Sequence, residues 1–292
     1  MKVLLAIDDS AKSHVVETAA SSLWPSGTEF CVMSVVDLRH WDGLPQLVED
    51  ATHEAESVAK RATEKLTESG YCAFSKVPAG SPKEKILEYA KQWNADLVMV
   101  GSHGNGVATR FLLGSVAQAV LRGASCSVEI VRQSSSSPSQ ASSRGTKILL
   151  AIDGSEASVK AASSIANRPW PAKSEIRILS VVQLLTADVP SLMSSMRAPV
   201  PDLIDEIYKL GRTRAQKAIA DASKILSAAG LAVSEATPLG EARATILDEA
   251  KTWGADLIVM ASHGRHGLDR LVMGSVAEAV ANHAHCSVEV IR

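Results

Sequence analysis

Several kinds of residue are scarce in this chain of 292 residues, and each scarcity excludes a class of protein. Aromatic residues make up only 4% of the chain, so any core must be built mainly from aliphatic side chains and alanine. The formal net charge is only −2, which gives no support to a nucleic-acid partner. No apolar run approaches the length of a membrane span, and a strand pattern starts directly after Met1, so we expect neither a membrane segment nor a signal peptide.

The chain also lacks the usual signatures of metal centres and of nucleotide-hydrolysing enzymes. Its four cysteines show no C-x-x-C spacing, and three of them fall inside or beside strand-like runs, where a buried reduced thiol is the ordinary outcome. We therefore expect a reducing, cytoplasmic compartment and no zinc. A G-x-x-x-x-G-K-[ST] phosphate loop is missing, and so is a G-x-G-x-x-G motif after the first strand. No set of nucleophile, base and orienting group can be assembled from the sequence, so we predict no catalytic residues.

What the chain does contain is an internal repeat. Residues 2–10 match residues 147–155 at seven of nine positions. Residues 101–132 match residues 261–292 at 16 of 32 positions without a gap. The offset between the copies grows from 145 to 160 residues, so the second copy carries 15 additional residues in its middle.

The repeat predicts two tandem domains, at residues 1–132 and 147–292. Between them lies a serine-rich segment, residues 133–146, with too little apolar content to pack, which we interpret as a flexible linker. We place most of the additional residues of the second domain between Leu184 and Ile207, where prolines cluster.

Each copy alternates aliphatic runs with helical patterns. Near-continuous aliphatic runs are typical of parallel strands that are covered on both faces. Strands that alternate with helices predict a doubly wound α/β layer with right-handed crossovers. In the first copy we predict strands at 2–8, 28–36, 71–77, 96–100 and 127–131, and helices at 11–23, 44–69, 83–93 and 115–122.

Both copies carry a loop of small residues after their fourth strand pattern. Glycines in such a loop permit positive φ and close approach of the backbone to a ligand, and the helix that follows offers free N–H groups to an anion. The pattern predicts a phosphate site, although turn glycines and a serine N-cap would produce it too. The loops read Gly101-Ser102-His103-Gly104, nine residues, Gly114-Ser115-Val116, and Ala261-Ser262-His263-Gly264, nine residues, Gly274-Ser275-Val276.

An aspartate ends the first strand pattern of each copy, Asp8 in one and Asp153 in the other. Such a carboxylate can accept from a ribose hydroxyl, help to hold a metal, or cap the following helix. Ser10 and Ser155 are better placed for the cap. Ligands of doubly wound sheets bind beyond the carboxyl ends of strands, so Asp8 and the loop at Gly101 face one cleft if the first and fourth strands are neighbours.

Other residues that recur in both copies have a plainer interpretation. His103 and His263 lie inside the loops, where a histidine can donate to a phosphate, act as a base, or bond a neighbouring carbonyl. For the remaining pairs we expect structural roles, namely core packing for Trp93 and Trp253, and capping of backbone donors before the fourth strand for Asp96 and Asp256.

These features resemble the universal stress protein family. The spacing of Gly101, Gly104, Gly114 and Ser115 matches the family's nucleotide loop, G-2x-G-9x-G-[ST], and the segment 126–131 is similar to its closing strand. The resemblance covers both domains. It implies a five-stranded parallel sheet of order 3-2-1-4-5 in each domain, with helices on both faces.

The resemblance also implies ligands and partners. It implies ATP or a related adenine nucleotide, together with Mg²⁺, with Asp8 toward the ribose or metal and the backbone of Val35 along the adenine edge. It implies that residues 127–132 and 287–292 pair within the chain as a pseudo-dimer, and it leaves a further homodimer open. The implied binding residues are Asp8, Val35, Gly101, Gly104, Gly114, Ser115 and Val116 in the first domain and Asp153, Val181, Gly264, Gly274, Ser275 and Val276 in the second.

We therefore predict an adenine-nucleotide-binding protein of stress response or regulation, with little or no turnover. Two alternatives remain open, a slow ATP hydrolase or nucleotide-transfer enzyme, and an interaction protein that binds no nucleotide. In the second domain Ala261 stands in place of the first glycine of the motif and lacks its φ freedom, so we expect the weaker site there.

Overall fold

The computed structural model describes most of the chain, namely residues 1–8, 14–38, 45–103, 113–132, 145–183, 200–264 and 273–292. Strands and helices alternate through both halves. The first half consists of β1 (Lys2–Ile7), α1 (Val15–Ser21), β2 (Glu29–Ser34), α2 (Pro45–Glu68), β3 (Cys72–Lys76), α3 (Pro82–Gln92), β4 (Leu97–Gly101), α4 (Ser115–Gly123) and β5 (Ser127–Val131). The second half consists of β6 (Lys147–Ala151), α5 (Glu156–Ala166), β7 (Glu175–Leu179), α6 (Val200–Ala228), β8 (Ala232–Ala236), α7 (Ala242–Trp253), β9 (Leu257–Ala261), α8 (Ser275–His283) and β10 (Ser287–Ile291).

Ten strands of the described ranges form one sheet, in the order β3-β2-β1-β4-β5-β10-β9-β6-β7-β8. Counted from its own outer edge, each half has the order 3-2-1-4-5 that was predicted, and all neighbours within a half are parallel. The halves meet where β5 and β10 pair antiparallel, with Glu129 opposite Glu289. Both last strands are therefore interior strands, and neither presents an unpaired edge.

Most predicted elements are confirmed to within a few residues, and two differences concern helices. Helix α1 begins at Val15 rather than at residue 11, and Ser10, its predicted cap, lies outside the described residues. Helix α6 has 29 residues where α2 has 24, so the longer helix takes up five of the 15 additional residues of the second half. Residues 184–199, where more of them were placed, also lie outside the described ranges.

The two faces of the sheet are packed differently. On the face of α3, α4, α7 and α8, one aliphatic core continues across both halves, because buried residues of β4, β5, β9 and β10 join it. On the other face there are two separate cores, one under α1 and α2 and one under α5 and α6. The aliphatic strands thus have both faces covered, as parallel strands require.

Two arginines connect the halves on the face where one core, called the shared core below, continues across both of them. Arg132, which follows β5, donates to the carbonyl oxygens of Ala281 and Asn282 at the end of α8. Arg292, which follows β10, donates to the carbonyl oxygen of Leu121 in α4, at 2.6 Å. A cation at the carboxyl end of a helix also interacts favourably with the helix dipole, so each half stabilises a helix end of the other.

Trp93 and Trp253 pack against the core, as expected, whereas the two aspartates accept from the first strand of each half rather than from the turn before the fourth. Asp96 accepts from the backbone N–H of Lys2 at 2.7 Å, and Asp256 accepts from that of Lys147 at 2.9 Å. The ammonium groups of both lysines lie over tryptophan rings, 5.6 Å from Trp93 and 5.4 Å from its counterpart Trp253. These contacts fix the amino ends of β1 and β6, at the edge of the sheet opposite the loops.

The four cysteines are free thiols, and they differ in burial. Burial raises the pKa of Cys31 and of Cys126 to about 11, and that of Cys286 to about 12. Only Cys72, at the start of β3, is exposed. A thiolate is the reactive form, so burial keeps the other three in the unreactive state.

Candidate functional site

The predicted cleft lies at the carboxyl edge of two neighbouring strands. Strands β1 and β4 are hydrogen-bonded neighbours, with Ala6 opposite Val100. Asp8 follows β1 directly, and Gly101 is the last residue of β4. The expectation that the carboxylate and the small-residue loop share one edge of the sheet is therefore confirmed, and β6 and β9 repeat the arrangement.

The two ends of the loop are tied together by backbone hydrogen bonds. Ser102 donates its N–H to Val131 at 3.0 Å, and the N–H of Gly114 donates to the carbonyl of Ser102 at 2.7 Å. Helix α4 starts at the next residue. The second half repeats both bonds, at 2.9 Å from Ser262 to Ile291 and at 2.7 Å from Gly274 to Ser262. The helix start is thereby held against the end of the neighbouring strand in both halves.

The amino end of α4 lies at this edge of the sheet and has no side-chain cap among the described residues. Its N-cap is Gly114, which has no side chain that could accept from the N–H groups of the first turn. Ser115, the first helical residue, is exposed. Uncapped N–H groups together with the positive end of the helix dipole form an anion site, and α8 repeats it with Gly274 and Ser275. Gly104 lies outside the described residues.

In the second half the two carboxylate oxygens of Asp153 lie in different environments. Oδ1 of Asp153 accepts from the N–H of Ser155 at 3.0 Å. Ser155 caps α5, as predicted, since its side chain accepts from the N–H of Ser158 at 3.2 Å. Oδ2 lies against the loop, where a Cβ added to Gly264 would come within 2.5 Å of it. One oxygen therefore shapes the turn, and the other faces the small-residue loop.

The loop glycines that the structure describes do not use the φ freedom that was expected of them. Gly101 is a strand residue and is not among the residues with positive φ. Gly114 has a φ of −59° and Gly274 a φ of −68°, values open to any residue. At Gly274 a side chain is disfavoured by lack of space instead, because an added Cβ would lie 3.1 Å from the carbonyl oxygen of Ser262. A strand-ending alanine at position 261 therefore needs no φ freedom.

This geometry predicts opposite effects for two exchanges at the strand end. Replacing Ala261 with glycine is expected to lower the free energy of unfolding by about 0.5–1 kcal/mol, since glycine loses more backbone entropy in a strand. Gly101→Ala is expected to raise it by a similar amount. Urea unfolding of both variants checks this, and a destabilising Gly101→Ala would contradict the strand assignment.

Val35 and Val181 occupy matching places at the carboxyl ends of β2 and β7. The neighbouring Val36 forms a parallel bridge with Ala79, accepting from the N–H of Gly80 at 2.9 Å and donating to Pro78 at 3.0 Å. Val182 forms the corresponding bridge with Leu239. Both predicted residues are half-buried against the shared core. Their backbone lies at the same edge of the sheet as the loops.

A cavity of about 180 Å³ opens beside the carboxylate of the second half. Asp153 and Gly154 line one side of it, and α6 contributes Arg214, Lys217 and Asp221 to the other. Its volume is smaller than that of usual small-molecule pockets, about 300–1,000 Å³, so it suits a fragment of a ligand. The two cations add positive charge next to the site of the second half.

Serine and histidine are paired in both loops. Nδ1 of His103 lies 3.1 Å from Oγ of Ser102, and the distance between Nδ1 of His263 and Oγ of Ser262 is 3.0 Å. Within the described ranges, no three His, Cys, Asp or Glu residues cluster as metal ligands. A Mg²⁺ ion bound through phosphates and water needs only one or two protein carboxylates, so Asp8 or Asp153 would suffice.

One buried charged cluster, formed by Glu129, Glu289 and Arg168, lies at the junction of the two halves and was not predicted from the sequence. The available signal was a glutamate at the same place in two otherwise aliphatic last strands. An acidic residue in the middle of a strand that is covered on both faces is costly unless it is paired. Its partner could not be identified from the sequence alone.

Together, the ten-stranded sheet and the two loops define a tandem, doubly wound α/β protein. The sequence model of the Universal stress protein family matches residues 1–132 and 145–292, and the chain belongs to that family. No helix within the described ranges is both long and apolar enough to cross a membrane.

Individual relatives match either half of the chain or all of it. A universal stress protein of Mycolicibacterium smegmatis is 27% identical over 99% of this chain and 96% of its own length. The universal stress protein YxiE of Bacillus subtilis is 31% identical over 146 residues, which are 50% of this chain and 98% of YxiE. A solved universal stress protein from Archaeoglobus fulgidus matches the fold with a TM-score of 0.67 and 21% identity, covering 100% of this chain and 96% of its own.

Proposed function

We propose that the chain binds an adenine nucleotide, ATP with Mg²⁺, in both halves and serves stress response or regulation with little or no turnover. The observation that carries the proposal is the helix start at Gly114 without a side-chain cap, tied to Ser102 beside the strand that Asp8 follows. An uncapped helix N-terminus next to a carboxylate suits a phosphate chain that is joined to a ribose. The cytoplasmic setting predicted from cysteine usage belongs to the same proposal.

Apart from that of Gly104, each proposed contact uses a group at this edge of the sheet. The N–H groups of Ser115 and Val116 would hold phosphate oxygens, and the Ser115 hydroxyl is exposed beside them. Asp8 would accept from ribose hydroxyls or from water on Mg²⁺, and the backbone of Val35 would contact the adenine edge. Gly104 stays a prediction, because it lies outside the described residues.

We propose two sites of comparable strength rather than one strong site and one weak site. The bond that ties the helix start to the strand is 2.7 Å long in both halves, from Gly114 to Ser102 and from Gly274 to Ser262. Ala261 ends β9 as an ordinary strand residue, so it does not distort the entry to the second loop. The proposal also includes a homodimer of the whole chain. Its formation would require no change at either nucleotide site.

Asp8→Ala tests the carboxylate's role. We expect it to weaken ATP binding by the first site about 10- to 100-fold, since a hydrogen bond to a charged group contributes about 1.5–3 kcal/mol. Calorimetric titration with Mg²⁺ and ATP gives the affinities. Asp96→Ala is the matched control, because Asp96 bonds Lys2 at the opposite edge of the sheet and should lower stability without changing affinity. Unchanged binding by Asp8→Ala would remove Asp8 from the site.

A slow hydrolase is the second candidate, favoured by the serine–histidine pair in each loop. A histidine next to the phosphates is the group that would accept a proton from an attacking water. Steady release of ADP by the wild-type chain, abolished by His103→Ala together with His263→Ala, would favour hydrolysis. Retained binding without any ADP release would favour the nucleotide-binding function proposed above.

A further inference from the structure

A pair of carboxylates is buried where the two halves of the sheet meet. Glu129 on β5 and Glu289 on β10 are opposite each other in the antiparallel pair, and only 3% and 2% of their surfaces are exposed. Residues directly opposite in an antiparallel pair project from the same face, with Cβ atoms about 4.5–5.5 Å apart. The strand pairing therefore holds two acidic side chains together, out of contact with water.

Glu289 is paired with a buried cation. Nη1 of Arg168, after α5, lies 2.6 Å from Oε2 of Glu289, and both side chains are buried. The guanidinium lies between two indole rings, 4.6 Å from the centre of Trp24 and 4.8 Å from that of Trp170. Trp24 belongs to the first half and Arg168 to the second, so this packing crosses the junction.

The internal repeat explains why the charges do not balance. Trp24-Pro25 aligns with Trp170-Pro171, which places Ser22 in the first half where the second half has Arg168. The cluster thus contains two carboxylates and one guanidinium. Among the described residues, no hydrogen-bond donor reaches Oε2 of Glu129. If both glutamates were ionised, one buried negative charge would have no cation of its own.

The surroundings of Glu129 favour its neutral form. Burial, and then the charge of Glu289, raise the pKa of Glu129 to about 7, while Arg168 acts in the opposite direction. From the segment that follows α1, the ring of Trp24 joins the cluster through Arg168. Arg132 follows β5 but contacts the end of α8, on the other face of the sheet.

We propose that Glu129 is kept as a carboxylic acid beside the Arg168–Glu289 ion pair, which makes the junction of the two halves a pH-responsive joint. Loss of the Glu129 proton to water leaves two carboxylates facing each other and loosens the β5–β10 pairing. The inference goes beyond nucleotide binding, because none of these three residues belongs to either loop.

The direction of the pH effect follows from the two states of the chain. In the unfolded chain Glu129 loses its proton near its ordinary pKa of 4.5, whereas in the folded chain it keeps the proton up to about pH 7. Unfolding therefore releases a proton between these values, so the contribution of Glu129 to stability is full below pH 4.5 and is lost as the pH rises to about 7. Above that range it stays constant.

Glu129→Gln tests the joint, because glutamine has the same shape and cannot ionise. Relative to this variant, the unfolding constant of the wild-type chain should increase roughly tenfold per pH unit through that window. Amide hydrogen exchange at about pH 8 should be faster in β5 and β10 of the wild type than in Glu129→Gln. Glu175→Gln, at an exposed strand position, is the control and should keep the wild-type pH dependence. Parallel pH profiles of wild type and Glu129→Gln would overturn the proposal.

Infrared spectroscopy observes the proton directly and does not depend on unfolding. At about pH 6 ordinary carboxyl groups are ionised, so a protonated carboxyl band there reports a raised pKa. We expect one such band in the wild-type chain, lost at about pH 8, present in Glu175→Gln and missing from Glu129→Gln. A wild-type spectrum without the band, or a band that persists in Glu129→Gln, would show that Glu129 is not the proton carrier.

Discussion

Gly114→Glu is expected to reduce the nucleotide bound per chain from two equivalents to one. The new carboxylate would lie at the N-cap of α4, where it occupies the positive helix end that a phosphate would otherwise use. At about 4 Å, like charges near a protein surface repel by about 4 kcal/mol, so the affinity of this site should fall at least about 100-fold. Calorimetric titration with Mg²⁺ and ATP gives the stoichiometry.

Matched variants distinguish the effect of the added charge from that of the added side-chain volume, and binding by the first half from binding by the second. Gly114→Gln adds the same volume without the charge, so it should weaken binding less. Gly274→Glu should remove the other equivalent, and the double variant should bind none. Ser115→Glu puts the charge at an exposed position that requires no repacking. Two equivalents bound by both Gly114→Glu and Ser115→Glu would show that the phosphates bind elsewhere.

Arg168→Met is expected to lower the free energy of unfolding by about 3–5 kcal/mol at about pH 8, the cost of removing one partner from a buried ion pair. Methionine still fills the space between Trp24 and Trp170, but Glu289 loses its cation and remains buried beside Glu129. The loss should be smaller at about pH 5, where Glu129, whose pKa is raised to about 7, is protonated and no longer repels Glu289. Urea unfolding followed by tryptophan fluorescence measures both values.

Arg177→Met is the matched control for this prediction. Arg177 also bonds a glutamate, Glu249, at 2.6 Å and also lies over a tryptophan, 4.8 Å from the ring of Trp253. Its side chain is 29% exposed and that of Glu249 is 25% exposed, so water screens the pair. We expect a loss of about 1 kcal/mol or less. Equal losses for the two arginines would contradict the importance of burial at the junction.

The strand pattern could be predicted from the sequence because it rests on local composition. The aliphatic runs that became β1, β4, β6 and β9 are buried on both faces, and period and length are visible in any such run. The start of α1 was predicted at residue 11 but is at Val15. A helix start is harder to predict than a strand, because a cap depends on backbone geometry as much as on residue type.

One feature of the site and one of the junction required the structure. The loop glycines were attributed to φ and to the approach of a ligand, but a side chain at Gly264 is excluded by the Asp153 carboxylate, which only the folded chain brings against it. The charged cluster depends on the register of β5 against β10, which places Glu129 opposite Glu289. Register between distant strands is set by packing and by the whole sheet, so no local pattern predicts which residues face each other.

The measurement that tests the account most directly is native mass spectrometry of the full chain with Mg²⁺ and ATP. Each bound nucleotide adds its own mass, so occupancy and stoichiometry are read from one spectrum. We predict species with one and two ATP, converging on two as ATP is raised, and far less binding of GTP because the base edge differs. A chain that gains no nucleotide mass at any ATP concentration, while remaining folded, would contradict the proposed function.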